Sequence, residues 1–139
     1  TYTTTSTYYI TTQPWTSDAN WNTKTGSIWN QQPWNNTDGG VNNPCPIGFR
    51  LPTSAEFDEE IATWTTKNAK GAILSPLKLP LTGYRTNGDG QVTDSGFSGD
   101  YWTSTVEGEN ARGLYFDSET AITDGGGRAV GVSVRCIKN

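Results

Sequence analysis

Cys45-Pro46-Ile47-Gly48-Phe49-Arg50-Leu51-Pro52-Thr53-Ser54-Ala55-Glu56-Phe57 is the stretch whose reading decides the fold. Its second half is a helix start. Thr53 and Glu56 have the spacing of a capping box: the Thr hydroxyl accepts from the Glu56 backbone N–H, and the Glu side chain reaches back to the cap. Pro52 stands just before the cap, where its missing N–H costs no helical hydrogen bond. Phe57, Ile61 and Trp64 recur at i, i+4 and i+7 and make one apolar face. The pattern predicts a single helix over residues 53–70, stopped by Gly71. The first half carries Cys45, one of two cysteines in the chain. The other lies near the far end, in Val132-Ser133-Val134-Arg135-Cys136-Ile137. If the two pair, the entry of the helix is tied to the closing strand.

Outward from the helix the pattern turns to β. Residues 101–105, 112–116 and 130–137 read as strands, with turns at Glu107-Gly108-Glu109-Asn110 and Asp124-Gly125-Gly126-Gly127. In the last of these, Val130, Val132, Val134 and Cys136 alternate with Gly131, Ser133 and Arg135, so one face is apolar. Residues 72–100 are short apolar pieces broken by Pro76 and Pro80, then Gly83-Tyr84-Arg85 and a Gly/Asp-rich loop. Residues 1–12 are Thr- and Tyr-rich and nearly uncharged, which suits either a strand or a Thr-rich linker. In residues 13–43, Gln13-Pro14-Trp15 recurs as Gln32-Pro33-Trp34, with Trp21 and Trp29 between them. Those indoles either pin a loop by burial or form an aromatic platform for sugar rings. The order β, loop, helix, loops, antiparallel β predicts an α+β domain.

A chain of 139 residues fits one domain. Only 32% of it is hydrophobic, and six Trp, six Tyr and four Phe carry much of the core potential. The net charge is −4 and the pI about 4.6, with no basic cluster. That excludes the electrostatic footprint of a nucleic-acid binder, and no apolar run approaches the roughly 20 residues that span a bilayer. The chain begins at Thr1 without Met or a signal-like segment, which suggests a processed product or a piece of a longer protein. Two cysteines in a Thr/Asn-rich chain suggest an oxidising, extracellular setting, with two free buried thiols as the alternative. Asn35-Asn36-Thr37 is a formal glycosylation sequon.

Catalytic signals are sparse. The chain has no histidine, which removes the commonest general base and most zinc sites. Carboxylates remain: Asp58-Glu59-Glu60 early in the helix, where the macrodipole favours them, and Glu107 and Glu109 in a turn. Asn87-Gly88-Asp89-Gly90 looks like the middle of a calcium loop. The first ligand position would fall on Arg85 and the last on Gly96, so it reads as a Gly-rich turn. Gly125-Gly126-Gly127-Arg128 lacks the following helix and Lys-Ser/Thr pair of a phosphate loop. No enzyme activity, cofactor or metal is expected.

Cys45 to Phe57 also resembles the Cys-Pro-x-Gly-Phe-Arg-Leu-Pro-Thr-x-x-Glu-Phe signature of the Fibrobacter succinogenes major paralogous domain. That family is similar to bacterial C-type-lectin-like domains with a Trp-Arg-Leu-Pro-Thr motif. Gly83-Tyr84-Arg85, Tyr101-Trp102-Thr103-Ser104-Thr105 and Ser133-Val134-Arg135-Cys136-Ile137 are similar to three further family motifs, in the same order. The resemblance covers residues 41–139 and leaves 1–40 outside as a Thr/Trp-rich N-terminal segment packed on the domain. It implies a C-type-lectin-like fold, a Cys45–Cys136 bridge and a secreted or surface-exposed bacterial or phage protein. Arg50 and Arg135 are then structural, and Trp102 belongs to the core. The calcium-dependent sugar motifs Glu-Pro-Asn and Trp-Asn-Asp of animal C-type lectins are absent.

The expected function is therefore a non-catalytic recognition or adhesion module for a surface glycan or protein receptor. Its binding residues are expected in the loops between the C-terminal strands. The candidates are Tyr84, Asp100, Arg112 and Arg128, with any exposed member of Trp15, Trp21, Trp29 and Trp34. The alternative is a structural subunit of an extracellular fibre or virion, self-associating through a strand at residues 1–12.

Overall fold

The computed structural model describes residues 44–107, 110–127 and 129–139. Along them run β1 (Phe49–Arg50), α1 (Ser54–Thr63), α2 (Ala69–Leu74), β2 (Tyr84–Arg85), β3 (Val92–Thr93), β4 (Gly99–Glu107), β5 (Asn110–Phe116), β6 (Ala121–Gly126) and β7 (Ile137–Lys138). The fold is α+β, with three antiparallel sheets: β1 with β7, β2 with β3, and β4-β5-β6. The segment 1–40, with its expected strand, and the sequon at Asn35 lie outside the described residues.

The capping box forms as expected. Thr53 Oγ1 accepts from the Glu56 N–H at 3.2 Å, and Glu56 Oε2 accepts from the Thr53 N–H at 2.8 Å. Arg50 adds a two-pronged ion pair to the same carboxylate, at 2.8 and 2.6 Å, so this arginine is structural. The guanidinium holds Glu56 down at about 2 against the opposing effect of burial, and the Thr53 N–H adds to the lowering. A depressed carboxylate contributes stability above its ordinary value of 4.5, and that stability is lost as pH falls toward 2. The raw shift corresponds to about 3 kcal/mol. Glu56 is 35% exposed, and solvent screening reduces this to about 1 kcal/mol. Glu56→Ala, which also removes a cap partner, is expected to cost about 1–2 kcal/mol in urea unfolding at pH 7 and much less at pH 2.5. An equal loss at both pH values would contradict the pairing.

The expected single helix over 53–70 is two helices. Trp64 adopts extended backbone (φ −71°, ψ 137°) and ends α1. The run Thr63-Trp64-Thr65-Thr66 is β-branched and aromatic, which makes a poor helix interior. Asn68 starts α2 by accepting from the Lys70 and Gly71 N–H groups. Gly71 is thus no stop signal. It is buried inside α2, where a Cβ would run into the backbone of Thr66.

The three-stranded sheet also differs from expectation. Its third strand is β6, so Asp124, Gly125 and Gly126 are strand and not turn. The turn lies earlier: Asp117 N–H donates to Thr120 O at 2.9 Å, and Asp117 Oδ1 accepts from the Glu119 and Thr120 N–H groups. Residues 130–136, read as a strand, form only isolated bridges, Arg85 with Gly131 and Tyr101 with Ser133, before β7. The alternation there is partly real. Val130 and Val132 turn inward, whereas Val134 is 40% exposed.

The sheet separates two apolar clusters. On one face Leu114 and Phe116 of β5 and Tyr101 of β4 pack against Phe57, Ile61 and Trp64. Phe116 is fully buried, stacked on Tyr101 at 6.0 Å and edge-on to Trp64 at 6.1 Å. On the other face Trp102 and Ala111 pack with Leu51, Val130 and Val132. Trp102 is a core residue, as expected. The Cys45–Cys136 disulfide, with Cα atoms 5.8 Å apart, clamps the chain entering β1 to the chain entering β7.

A candidate binding cleft on the sheet face away from the helices

Strand alternation builds the site. Because Leu114 and Phe116 face the helices, Gly113 and Tyr115 face the other way. In β4 the same rule places Asp100 and Trp102 on that second face, and in β6 Ile122 and Asp124. The opposing wall is Val130 and Val132, with Tyr84 at one end. These residues enclose a cleft of about 700 Å³. The void follows from side chains that are missing. Gly113 leaves the middle of the floor bare between Trp102 and Tyr115, and Gly126 and Gly127 keep one end low.

Backbone pairing fixes Tyr84 at the rim. Arg85 N–H donates to Gly131 O at 2.7 Å, and Gly131 N–H returns to Arg85 O at 2.9 Å. Just before it, Gly83 has φ +62°, and its N–H donates to Ser98 O at 2.7 Å. A Cβ there would strike the backbone of Thr93 and Ser95. Only glycine allows β2 to lie this close to the segment leading into β4.

Among the described lining residues the charged side chains are Asp100 and Asp124. Burial pushes the Asp100 carboxyl up, the Ser98 hydroxyl bonded to it at 2.7 Å opposes this, and the like charge of Asp94 adds to the rise. Tyr115 is pushed up to about 12, chiefly because its hydroxyl donates to Asp117 Oδ2 at 2.8 Å, with smaller effects of burial and of the charges of Asp117, Asp100 and Asp94. Asp124 accepts from the Gly125 N–H at 2.7 Å. The ion pairs among the described residues are Arg50–Glu56 and Arg112–Glu107, and neither neutralises Asp100 or Asp124.

Of the residues expected to bind, the structure brings Tyr84 and Asp100 together in this cleft. It does not bring Arg112 there. That side chain lies on the helix face of the sheet, paired with Glu107 at 2.8 Å and donating to Thr123 O at 2.9 Å. In the β5–β6 ladder the Thr123 carbonyl points to the outer edge, so Arg112 covers part of an otherwise bare strand edge. Arg128, Trp15, Trp21, Trp29 and Trp34 lie outside the described residues.

Sequence reading missed Tyr115, Ile122, Asp124 and the valine wall. Tyr115 was within reach, because the apolar partners Leu114 and Phe116 set its direction. Ile122 and Asp124 were hidden by reading the glycine run as a turn. The Asn87-Gly88-Asp89-Gly90 turn is held internally: Asp89 Oδ1 accepts from Gln91 N–H at 3.1 Å and from the Thr86 hydroxyl, and the Arg85 guanidinium donates to Gly90 O. Among the described residues no group of three or more His, Cys, Asp or Glu is placed to hold a metal ion, and no helix is long and apolar enough to cross a membrane. No family model, curated protein or solved structure matches this chain.

Proposed function

We propose that the protein is a non-catalytic extracellular recognition module, binding a surface glycan or a protein receptor through the cleft between the β4-β5-β6 sheet and the 130–132 wall. The observation that carries this reading is the cleft itself: an aromatic and aliphatic surface with a few polar groups converging on it, of a size typical of ligand sites. A chain without histidine lacks the usual activated nucleophiles, and this favours binding over catalysis. A disulfide closing the domain suits an oxidising compartment, such as a bacterial surface or a phage fibre. The C-type-lectin-like fold is part of the same proposal. It is supported by the motif order along the chain and by the bridge that joins helix entry to the last strand.

The test is a glycan array and a cell-binding assay with the intact protein, alongside two variants. Ile122→Arg lays a long side chain over the cleft floor from a position that is already 44% exposed. Glu59→Gln alters the exposed face of α1 and serves as control. Binding is expected to fall more than tenfold in Ile122→Arg, with an unchanged circular dichroism spectrum, and to stay within twofold in Glu59→Gln. No ligand on the array or on cells, or equal binding by both variants, would remove this reading.

A further inference from the structure

The geometry points to a protein ligand that inserts a guanidinium or ammonium side chain, Arg or Lys, into this cleft between Asp100 and Asp124. The inference rests on the cleft being the recognition surface, and it names what the cleft accepts.

Three observations converge on a cation. The charged side chains among the described lining residues are both carboxylates, and no ion pair among the described residues involves either one. Asp100 is partly withdrawn from water, with the Ser98 hydroxyl as its neutral partner at 2.7 Å and Asp94 as a like-charged neighbour. A desolvated carboxylate in this state gains more from an arriving cation than an exposed one does. Tyr84 and Tyr115 are both half-buried at the cleft, and aromatic faces attract cations as well.

The rest of the cleft suits the stem of such a side chain. Ile122, Val130 and Val132 offer an aliphatic surface, and Arg and Lys lay three or four methylenes along surfaces of that kind while the head group seeks a partner. Bare glycine backbone at Gly126, where an added Cβ would meet nothing within 4 Å, lets a ligand main chain approach closely. A neutral sugar would satisfy hydroxyl contacts but leave both carboxylates uncompensated, so charge complementarity favours the peptide ligand.

The test uses the intact protein and two probe peptides, acetyl-Gly-Arg-Gly-amide and its citrulline counterpart, which keeps the shape and removes the charge. Two-dimensional amide NMR titrations are followed for both. The arginine peptide is expected to give saturable shifts at Asp100, Ile122 and Gly125 and to bind at least tenfold more tightly than the citrulline peptide. Asp100→Asn with Asp124→Asn is expected to abolish that difference. Ile122→Arg, which supplies a guanidinium from within, is expected to block the arginine peptide. Equal affinity for the two peptides, shifts located elsewhere, or a charge preference that survives the double Asn variant would overturn the inference. If the arginine peptide fails while Ile122→Arg still abolishes array or cell binding, the cation inference falls and the recognition reading stands. If Ile122→Arg leaves array and cell binding intact, the recognition reading falls with it.

Discussion

Replacing Cys45 and Cys136 by serine is expected to lower the unfolding free energy by roughly 4–5 kcal/mol. The bridge joins positions separated by 91 residues, so its loss releases most of the described chain in the unfolded state. Few domains have more than 5–15 kcal/mol in total, and a chain that is only 32% hydrophobic has little in reserve. The native-state effect has the same sign. The β1–β7 pairing is two residues long, Phe49 with Lys138 and Arg50 with Ile137, and too short to hold the C-terminus alone. Val130 and Val132 would then lose their anchor, and with them one wall of the cleft. Urea unfolding of the oxidised and the double-serine proteins measures this directly. A midpoint that hardly moves would mean that helix and sheet packing alone closes the domain.

Phe116→Ala is expected to cost about 3–5 kcal/mol, because the ring is fully buried between Tyr101 and Trp64 and joins the sheet to α1. Its neighbour Gly99 makes the test specific. Phe116 and Gly99 face each other across the β4–β5 ladder, and a Cβ at Gly99 would fall into the Phe116 ring. Gly99→Ala is therefore expected to destabilise by about 1–3 kcal/mol through overpacking. In a Phe116→Leu background much of that penalty should vanish, which a double-mutant cycle reads as a coupling above 0.5 kcal/mol. Strict additivity of the two substitutions would show that the glycine is required for another reason.

What the sequence made legible was what local chemistry decides. The Thr53–Glu56 cap, the Phe57–Ile61 face and strands β4 and β5 are set by spacing or by alternation, and the two cysteines of the chain allow one pairing within it, Cys45 with Cys136. What stayed hidden depended on tertiary contact. The helix breaks at Trp64 because the run Thr63-Trp64-Thr65-Thr66 is a poor helix interior and Asn68 caps a second start nearby, while the Trp64 indole still reaches Phe116 in the core. Gly125 and Gly126 have the composition of a turn, yet they lie in β6 because the hairpin closes at Asp117 and Thr120. The Asp117 carboxylate holds that turn by accepting from the Glu119 and Thr120 N–H groups. A turn placed at the glycine run leaves Ile122 and Asp124 outside the site and puts the third strand at residues 130–137, whereas in the structure the third strand is β6. Tyr84 and Asp100 were found from motif and loop position, but sheet pairing alone shows that they share a cleft. Arg112 illustrates the converse: it is a charged residue in a strand whose partners, Glu107 and Thr123, belong to the fold.

The central claim is that recognition takes place on the sheet face away from the helices. The most direct measurement is an amide NMR map of the intact protein saturated with a ligand found on the array or on cells. Shifts are expected on Asp100, Trp102, Gly113, Tyr115, Ile122 and Gly125, while Ala55, Glu59 and Ala62 on the exposed face of α1 stay fixed. Shifts concentrated on α1, with the strand residues unmoved, would contradict it.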